Sequence, residues 1–159
     1  MRVAWKQEPS GVFRWTLAGS PRDTPRAMSQ DDVEVVRAAF DAWNRGPEAL
    51  GDILDSDVDW RAIEGAPDDV GPMRGLDAMR AYTQDWFDHF DDLRVEPEEL
   101  IDAGDRVVAV QRLSGRAKGS GIETELRYAV VYPVSGGKIV RGREYTTREQ
   151  ALEAVGLGE

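Results

Sequence analysis

Hydrophobic residues in the first half of the chain recur three or four positions apart, which is the spacing of one face of an amphipathic helix. This pattern predicts a helix over about residues 30–45, preceded by a capping box formed by Ser29 and Asp32. Gly46 ends this helix, and Pro47 begins a short second helix. The apolar face of a third predicted helix is formed by Met79, Tyr82, Trp86 and Phe90.

The other hydrophobic positions alternate with polar ones, as they do in strands. A first strand is predicted over residues 57–63, and a loop over residues 64–75, which are rich in glycine and proline. Further strands are predicted near residues 93–102, 105–117, 122–134 and 138–146. Short turns that contain glycine join them, so they form an antiparallel meander. A second capping box, Thr147 with Gln150, begins a last helix that runs to about Val155.

This order of elements predicts an α+β domain in which an antiparallel sheet curls around the long helices. A chain of 159 residues is long enough for one such domain with a sizeable core. Residues 1–27 are basic, rich in Pro, Gly and Arg, and lack the apolar centre of a secretory signal. We interpret them as an appended tail, with Met28 as the natural start and the domain over 28–159. The alternative is an extra strand or partner-binding arm that uses Phe13 and Trp15.

Charge and composition narrow the classes of partner. The chain has 20 Lys+Arg against 30 Asp+Glu, a net charge of -10, which disfavours nucleic acid and anionic membrane surfaces. No apolar run approaches the roughly 18 residues of a membrane helix. There is no cysteine and only one histidine, which excludes thiolate and multi-histidine metal sites and indicates the cytoplasm. We therefore expect a small-molecule partner and no cofactor or metal.

Six stretches, in this order, cover most of residues 29–157: VEVVRAAFDAWNRG, DVDWRAIEG, GLDAMRAYTQDWFDHFDD, VEPEELIDAGDRVVAV, GKIVRGREY and REQALEAVGL. With the element order, they resemble the SnoaL-like, polyketide cyclase-related group of the nuclear transport factor 2-like superfamily. The resemblance implies a cone-shaped, curved, mostly antiparallel sheet wrapped by three N-terminal helices, with a short C-terminal helix. It also implies an apolar pocket and a homodimer formed through the sheet. The superfamily contains enzymes and non-catalytic binding modules, so the fold leaves the activity open.

Two enzymes of this superfamily provide site patterns for comparison. Ketosteroid isomerase uses a carboxylate base, a tyrosine and a protonated carboxylic acid. Alignment places Ala62 and Ala129 at the two acidic positions, and the residues aligned with the tyrosine cannot donate a proton. Limonene epoxide hydrolase resembles the chain at Arg127 and Glu144, but its other acid is again replaced by Ala129. Both constellations are therefore incomplete.

The same alignment predicts which side chains face the pocket, because strand residues two apart share a face. Glu144 and Arg127 are predicted to meet there, and Glu64 is a second inward carboxylate. In the SnoaL-like cyclases an acidic residue is the general acid or base, so Glu144 or Glu64 would be the base and Arg127 the electrostatic stabiliser. Alternatively, Arg127 and Glu144 form a structural or ligand-orienting pair. The predicted ligand-binding residues are Trp60, Trp86, Gln111, Glu125, Ala129 and Thr146.

These residues lead to two hypotheses about function. The first is a protein that binds a small hydrophobic or mildly polar organic molecule without catalysing a reaction. The second is an enzyme of the cyclase, isomerase or hydrolase type that uses the acidic residues named above. The sequence leaves the choice between them open.

Overall fold

The computed structural model describes residues 25–66 and 69–158, and for residues 25–30 it describes the backbone only. Phe13 and Trp15, which the alternative prediction places in an extra strand or partner-binding arm, lie outside the described residues. The domain boundary at Met28 stays a prediction.

Three helices precede most of the sheet and one short helix follows it, as predicted. They are α1 (Pro25–Arg45), a 3-10 helix (Pro47–Asp52), α2 (Leu76–His89) and α3 (Arg148–Ala154). Because α1 already begins at Pro25, a residue that is favoured in a first helical turn, the predicted cap at Ser29 is wrong. The predicted cap of α3 is confirmed, since the Thr147 side chain accepts a hydrogen bond from the Gln150 backbone N at 3.1 Å.

Six strands form one mixed, open sheet. They are β1 (Leu54–Arg61), β2 (Met73–Arg74), β3 (Phe90–Asp102), β4 (Arg106–Ala117), β5 (Glu123–Ser135) and β6 (Lys138–Tyr145). Their order is β2-β1-β6-β5-β4-β3. Strands β1 and β6 are parallel and all other neighbours are antiparallel. The predicted α+β class is thus confirmed, whereas the loop prediction missed β2, whose two residues pair with β1.

The two faces of the sheet are covered by different helices. On the inner face, which we define as the face covered by α1 and α2, Val107, Ala109, Val130 and Tyr132 belong to the main core. On the opposite, outer face, α3 covers a smaller cluster that contains Val108, Ala129, Val131 and Ala151. Consecutive residues of β4 and β5 are therefore buried on both sides.

The end of α1 is fixed to the edge strand β3 by one side chain. The Asn44 amide donates to the Val95 carbonyl at 2.9 Å and accepts from the Val95 backbone N at 2.9 Å. The backbone groups of Val95 at this edge of the sheet thus bond to a helix residue instead of a neighbouring strand. The two bonds therefore fix the distance between α1 and the sheet. Within the described ranges, no helix has both the length and the apolar character needed to cross a membrane.

Candidate functional site

A cavity of about 230 Å³ lies between the inner face of the sheet and helices α1 and α2. Most of its surface is apolar, and side chains from both helices and from β1, β3, β4, β5 and β6 contribute to it. The aromatic residues that line it are Trp43, Trp60, Tyr82, Trp86, Phe87, Tyr128 and Tyr132. Leu126, another lining residue, is 42% exposed, so the cavity opens to solvent near the start of β5.

The carboxylate of Glu144 lines the cavity, as predicted, and Trp60 holds it there. The Trp60 indole Nε1 donates to Glu144 Oε2 at 2.9 Å. Trp60 on β1 is opposite Gly142 on β6. A Cβ at Gly142 would lie 2.6 Å from Trp60 Cη2 and closer still to Cε3 and Cζ3. The indole therefore lies directly against the glycine backbone, and this contact sets the position from which it binds Glu144.

Three further polar side chains form a chain of hydrogen bonds across β4 and β5. The Tyr132 hydroxyl donates to Gln111 Oε1 at 2.9 Å, and Gln111 Nε2 donates to the Tyr128 oxygen at 3.0 Å. Burial raises the pKa of Tyr132 well above its usual value, and the nearby Tyr128 and Glu144 raise it further, although the hydrogen bond with Gln111 acts in the opposite direction. Tyr132 is thus a neutral phenol that donates one hydrogen bond.

Three rings pack together at the buried end of the cavity. The centroids of Trp43 and Trp60 are 5.7 Å apart at an interplanar angle of 73°, and Tyr132 lies 5.7 Å from Trp60 and 6.0 Å from Trp43. These are the separations of favourable aromatic pairs. From α2, Trp86 reaches the cavity while stacking on Phe90 at 5.4 Å. Aromatic surface therefore reaches the cavity from both the sheet and α2.

The loop after β1 forms another part of the wall through Ile63 and Ala66. It is tied to the end of β1 because the Arg61 guanidinium donates to both oxygens of Asp69. The backbone N–H groups of Gly65 and Gly71 also donate to Asp69, at 2.8 and 2.9 Å. The Arg61 guanidinium, followed by these two N–H groups, holds the pKa of Asp69 well below its usual range.

Arg127 does not meet Glu144, which corrects the central prediction. Its side chain is 61% exposed on the outer face, where its Nε donates to Glu98 at 2.9 Å. This contact lowers the pKa of Glu98. The predicted register of β5 was displaced by one residue, so Tyr128 and Tyr132 occupy the inner face that Arg127 and Ala129 were expected to occupy.

The other predicted site residues divide into two groups. Trp60, Trp86 and Gln111 line the cavity with Glu144. The residues that lie elsewhere are Glu64, Glu125, Ala129 and Thr146. Glu64 is 72% exposed beside Arg61, because β1 ends before the loop that carries it. Glu125 shares the exposed side of β5 with Arg127, Ala129 packs under α3, and Thr146 follows the end of β6.

The main residues that the sequence interpretation missed at the site are Tyr128 and Tyr132. A signal for them was present in the hairpin that joins β4 and β5. Gln111 was correctly predicted to face inward, and Tyr128 is its direct partner across the hairpin. Directly paired strand residues share a face, so the position of Gln111 implies the position of Tyr128. Among residues 25–66 and 69–158, no group of three or more His, Cys, Asp or Glu is placed to hold a metal ion.

A model of the SnoaL-like domain matches residues 36–142, which is about two thirds of the chain. The chain belongs to the SnoaL-like domain family. This confirms the resemblance inferred from the sequence. No curated protein matches the SnoaL-like chain in sequence.

Solved structures share the fold of this SnoaL-like domain. A SnoaL-like polyketide cyclase, so described, from Jannaschia sp. CCS1 is 19% identical with a TM-score of 0.65, and the match covers 89% of this chain and 100% of that one. A nuclear transport factor 2-like protein from Burkholderia thailandensis is 28% identical with a TM-score of 0.62, covering 81% and 97%. A protein with a ketosteroid isomerase-like fold from Catenulispora acidiphila is 22% identical with a TM-score of 0.63, covering 78% and 93%.

Proposed function

We propose that this SnoaL-like protein binds one small, mainly hydrophobic organic molecule in the cavity. The observation that carries the proposal is a largely apolar, aromatic surface with a few polar groups, Glu144, Gln111 and Tyr128 among them. Small-molecule sites have this composition, because apolar area provides affinity and a few polar groups fix the orientation. An apolar cavity of about 150 Å³ accepts benzene. A cavity of about 230 Å³ therefore suits a molecule somewhat larger than one unsubstituted ring.

A similar structure supports an organic ligand. The Catenulispora acidiphila protein was determined in complex with trimethylamine. The two chains share the fold at 22% identity, so this complex supports an organic ligand in general and leaves its identity and size to experiment.

The test is thermal unfolding of the protein with a panel of substituted one-ring and two-ring compounds. A compound that binds the folded state, at 100 times its Kd, stabilises by about 2.7 kcal/mol. For a chain of this length we expect an increase in Tm of about 5–10 °C. The proposal fails if no compound in the panel raises Tm in a concentration-dependent way.

A matched pair of variants locates the binding site. Leu126→Trp adds a ring at the open side of the cavity, whereas Ile122→Trp adds the same ring at a residue that is 64% exposed and does not line it. We expect Leu126→Trp to weaken binding at least tenfold, about 1.4 kcal/mol, and Ile122→Trp to leave it unchanged. Equal effects of the two variants would place the ligand outside the cavity.

The second candidate function is acid/base catalysis by Glu144, which is favoured by its position inside the cavity with a fixed hydrogen bond from Trp60. A general base must lie within hydrogen-bond reach of a bound substrate, and this carboxylate meets that requirement for a molecule in the cavity. Arg127 and Glu64 have no part in this proposal, since both lie outside the cavity.

If Glu144 is a catalytic base, Glu144→Gln should abolish the cyclisation, isomerisation or hydrolysis of a substrate while neutral ligands still bind. Arg127→Gln is the matched control, because it changes a charge on the outer face, and we expect it to keep full activity. If the native protein turns over no substrate in such a panel, binding without catalysis is the better description.

Two further expectations stay predictions. The first is a homodimer through the sheet, which light scattering will test, and a monomer at all concentrations will contradict it. The second is a cytoplasmic location, which fractionation of the source cells will test.

A further inference from the structure

We propose that the ligand is a cation, namely a protonated tertiary amine or a quaternary ammonium group that carries an apolar body. Its charged group lies beside Glu144 and against the aromatic walls of the cavity. This inference rests on the proposed function, because it names the chemical class of ligand for the same cavity.

Aromatic side chains line the cavity on two sides. Trp60, Tyr128 and Tyr132 reach the cavity from the sheet, and Tyr82 and Trp86 reach it from α2. A ligand in the cavity therefore has rings on two sides. The face of an aromatic ring is negative, so it attracts an ammonium group, and this attraction strengthens when water is excluded. An apolar wall of leucine and valine would offer the same hydrophobic area without this preference.

The charged side chain that lines the cavity is an acid. Among the described residues that line it, Glu144 is the only carboxylate, and none is Lys, Arg or His. An anionic ligand would be repelled by the carboxylate, whereas a cationic ligand is attracted by it and also by any aromatic face that it contacts. The net charge of -10 for the whole chain acts in the same direction, because it raises the local concentration of cations.

The Glu144 carboxylate is held in a fixed position. Its bond from Trp60 is 2.9 Å long, and Trp60 is 3% exposed and packed against Gly142. The carboxylate therefore needs little rearrangement to meet a ligand, which reduces the entropic cost of binding. Burial, then Tyr128 and then Glu144 raise the pKa of Tyr132, so the charge of Glu144 also acts at the buried end of the cavity.

The test compares two probes of nearly equal shape that differ in charge. Phenyltrimethylammonium is a cation, and tert-butylbenzene has carbon in place of its nitrogen; benzoate is the anionic control. Binding to the full chain is followed by tryptophan fluorescence, because Trp43, Trp60 and Trp86 all line the cavity. We expect phenyltrimethylammonium to bind at least about tenfold more tightly than tert-butylbenzene, and benzoate most weakly.

Two variants connect this preference to the carboxylate. Glu144→Gln keeps an oxygen that can accept from Trp60 but removes the charge, and we expect it to lower the affinity for phenyltrimethylammonium about tenfold while tert-butylbenzene is unaffected. Glu98→Gln removes one charge from the outer face and is expected to change neither affinity. Trp86→Leu removes one ring from the cavity. We expect it to lower the affinity for phenyltrimethylammonium more than the affinity for tert-butylbenzene.

The outcomes separate this inference from the proposed function. If tert-butylbenzene or benzoate binds the native protein as tightly as phenyltrimethylammonium, the cation is excluded as the preferred ligand while the binding function stands. Equal loss of cation affinity in Glu144→Gln and Glu98→Gln also overturns the inference, because the preference would then come from overall charge. If neither phenyltrimethylammonium nor tert-butylbenzene binds, the cation inference fails, and the panel of one-ring and two-ring compounds then decides the proposed function separately. The comparison of probes on the native protein decides the question even if a variant does not fold.

Discussion

Replacing Gly142 by alanine tests the packing that positions Glu144. The new Cβ would lie 2.6 Å from Trp60 Cη2, whereas ordinary contact begins at 3.4 Å. The indole would have to move by about 0.8 Å at that atom, and more at Cε3 and Cζ3. Trp60 is 3% exposed and has Trp43 and Tyr132 against it, so little space is available for this movement. The substitution is therefore expected to strain the core and displace the donor of Glu144.

The size of the effect follows from two opposing contributions. Overpacking a well-packed core costs about 1–3 kcal/mol. Replacing glycine by alanine within a strand raises the free energy of unfolding by about 0.5–1 kcal/mol, because alanine loses less backbone entropy on folding. We expect a net loss of about 1–2 kcal/mol in the free energy of unfolding. For a chain of this length, this corresponds to a decrease of about 2–8 °C in Tm.

The assay is chemical and thermal unfolding of Gly142→Ala, with near-UV circular dichroism to report the environment of Trp60. Gly115→Ala is the matched control, since its Cβ would meet Leu93 and Phe90 at 3.2 and 3.3 Å, a much smaller overlap in another strand. We expect the control to change stability by less than about 1 kcal/mol. If Gly142→Ala is as stable as the native protein and its near-UV spectrum is unchanged, the indole does not lie against this glycine.

Three other substitutions test the bonds around the cavity. Tyr132→Phe removes the buried hydroxyl that donates to Gln111, so we expect it to lower the free energy of unfolding by about 1–3 kcal/mol in urea titrations. Thr147→Ala removes the cap of α3 and is expected to cost about 0.5–2 kcal/mol, measured in the same way. Asp69→Asn weakens the tie to Arg61. The pKa of Asp69 is lower in the folded state than in the unfolded chain. The ionised side chain therefore stabilises the fold fully above the ordinary pKa of about 4, and this stabilisation decreases as the pH falls below that value. The difference in Tm between the native protein and Asp69→Asn should therefore be larger at about pH 7 than at about pH 3.

Each of these expectations has a clear contrary result. Unchanged urea midpoints for Tyr132→Phe would mean that the Gln111 carbonyl is satisfied in another way. Full stability of Thr147→Ala would mean that α3 is held by its apolar contacts alone. A Tm difference that grows as the pH falls would reverse the sign deduced for Asp69.

Most of the fold followed from the sequence because periodicity and turn residues agreed. The helical spacing of the residues around Phe40 and Trp86 gave α1 and α2, and the short glycine turns gave the meander of β3 to β6. The start of α1 was misplaced because a serine with an acid three residues later resembles a cap wherever it occurs. Strand β2 was missed because two residues between Gly71 and Gly75 carry no periodicity.

The site was only half predictable because β5 is apolar on both faces. Alternation distinguishes an inner from an outer face only where one face is polar. From Tyr128 onward, Val130 and Tyr132 face the main core, while Ala129 and Val131 pack in the cluster covered by α3. The hydrophobic pattern therefore permits two registers. The register that places Ala129 on the inner face also places Arg127 there, because residues two apart in a strand share a face. Strand β6 presented less ambiguity, since Arg141 and Arg143 are exposed on one face and Gly142 is buried on the other.

The contact of Trp60 with Gly142 predicts which pairs of residues relatives of this protein carry at these two positions. Two positions on neighbouring parallel strands share one volume, and the larger side chain occupies nearly all of it. Substitution of either residue alone leaves a clash or a void, so the two positions should change together among relatives. Where an indole is present at position 60, glycine is expected at position 142. Where residue 60 is small, a side chain at position 142 can fill the space, and the acid two residues later then requires a different donor.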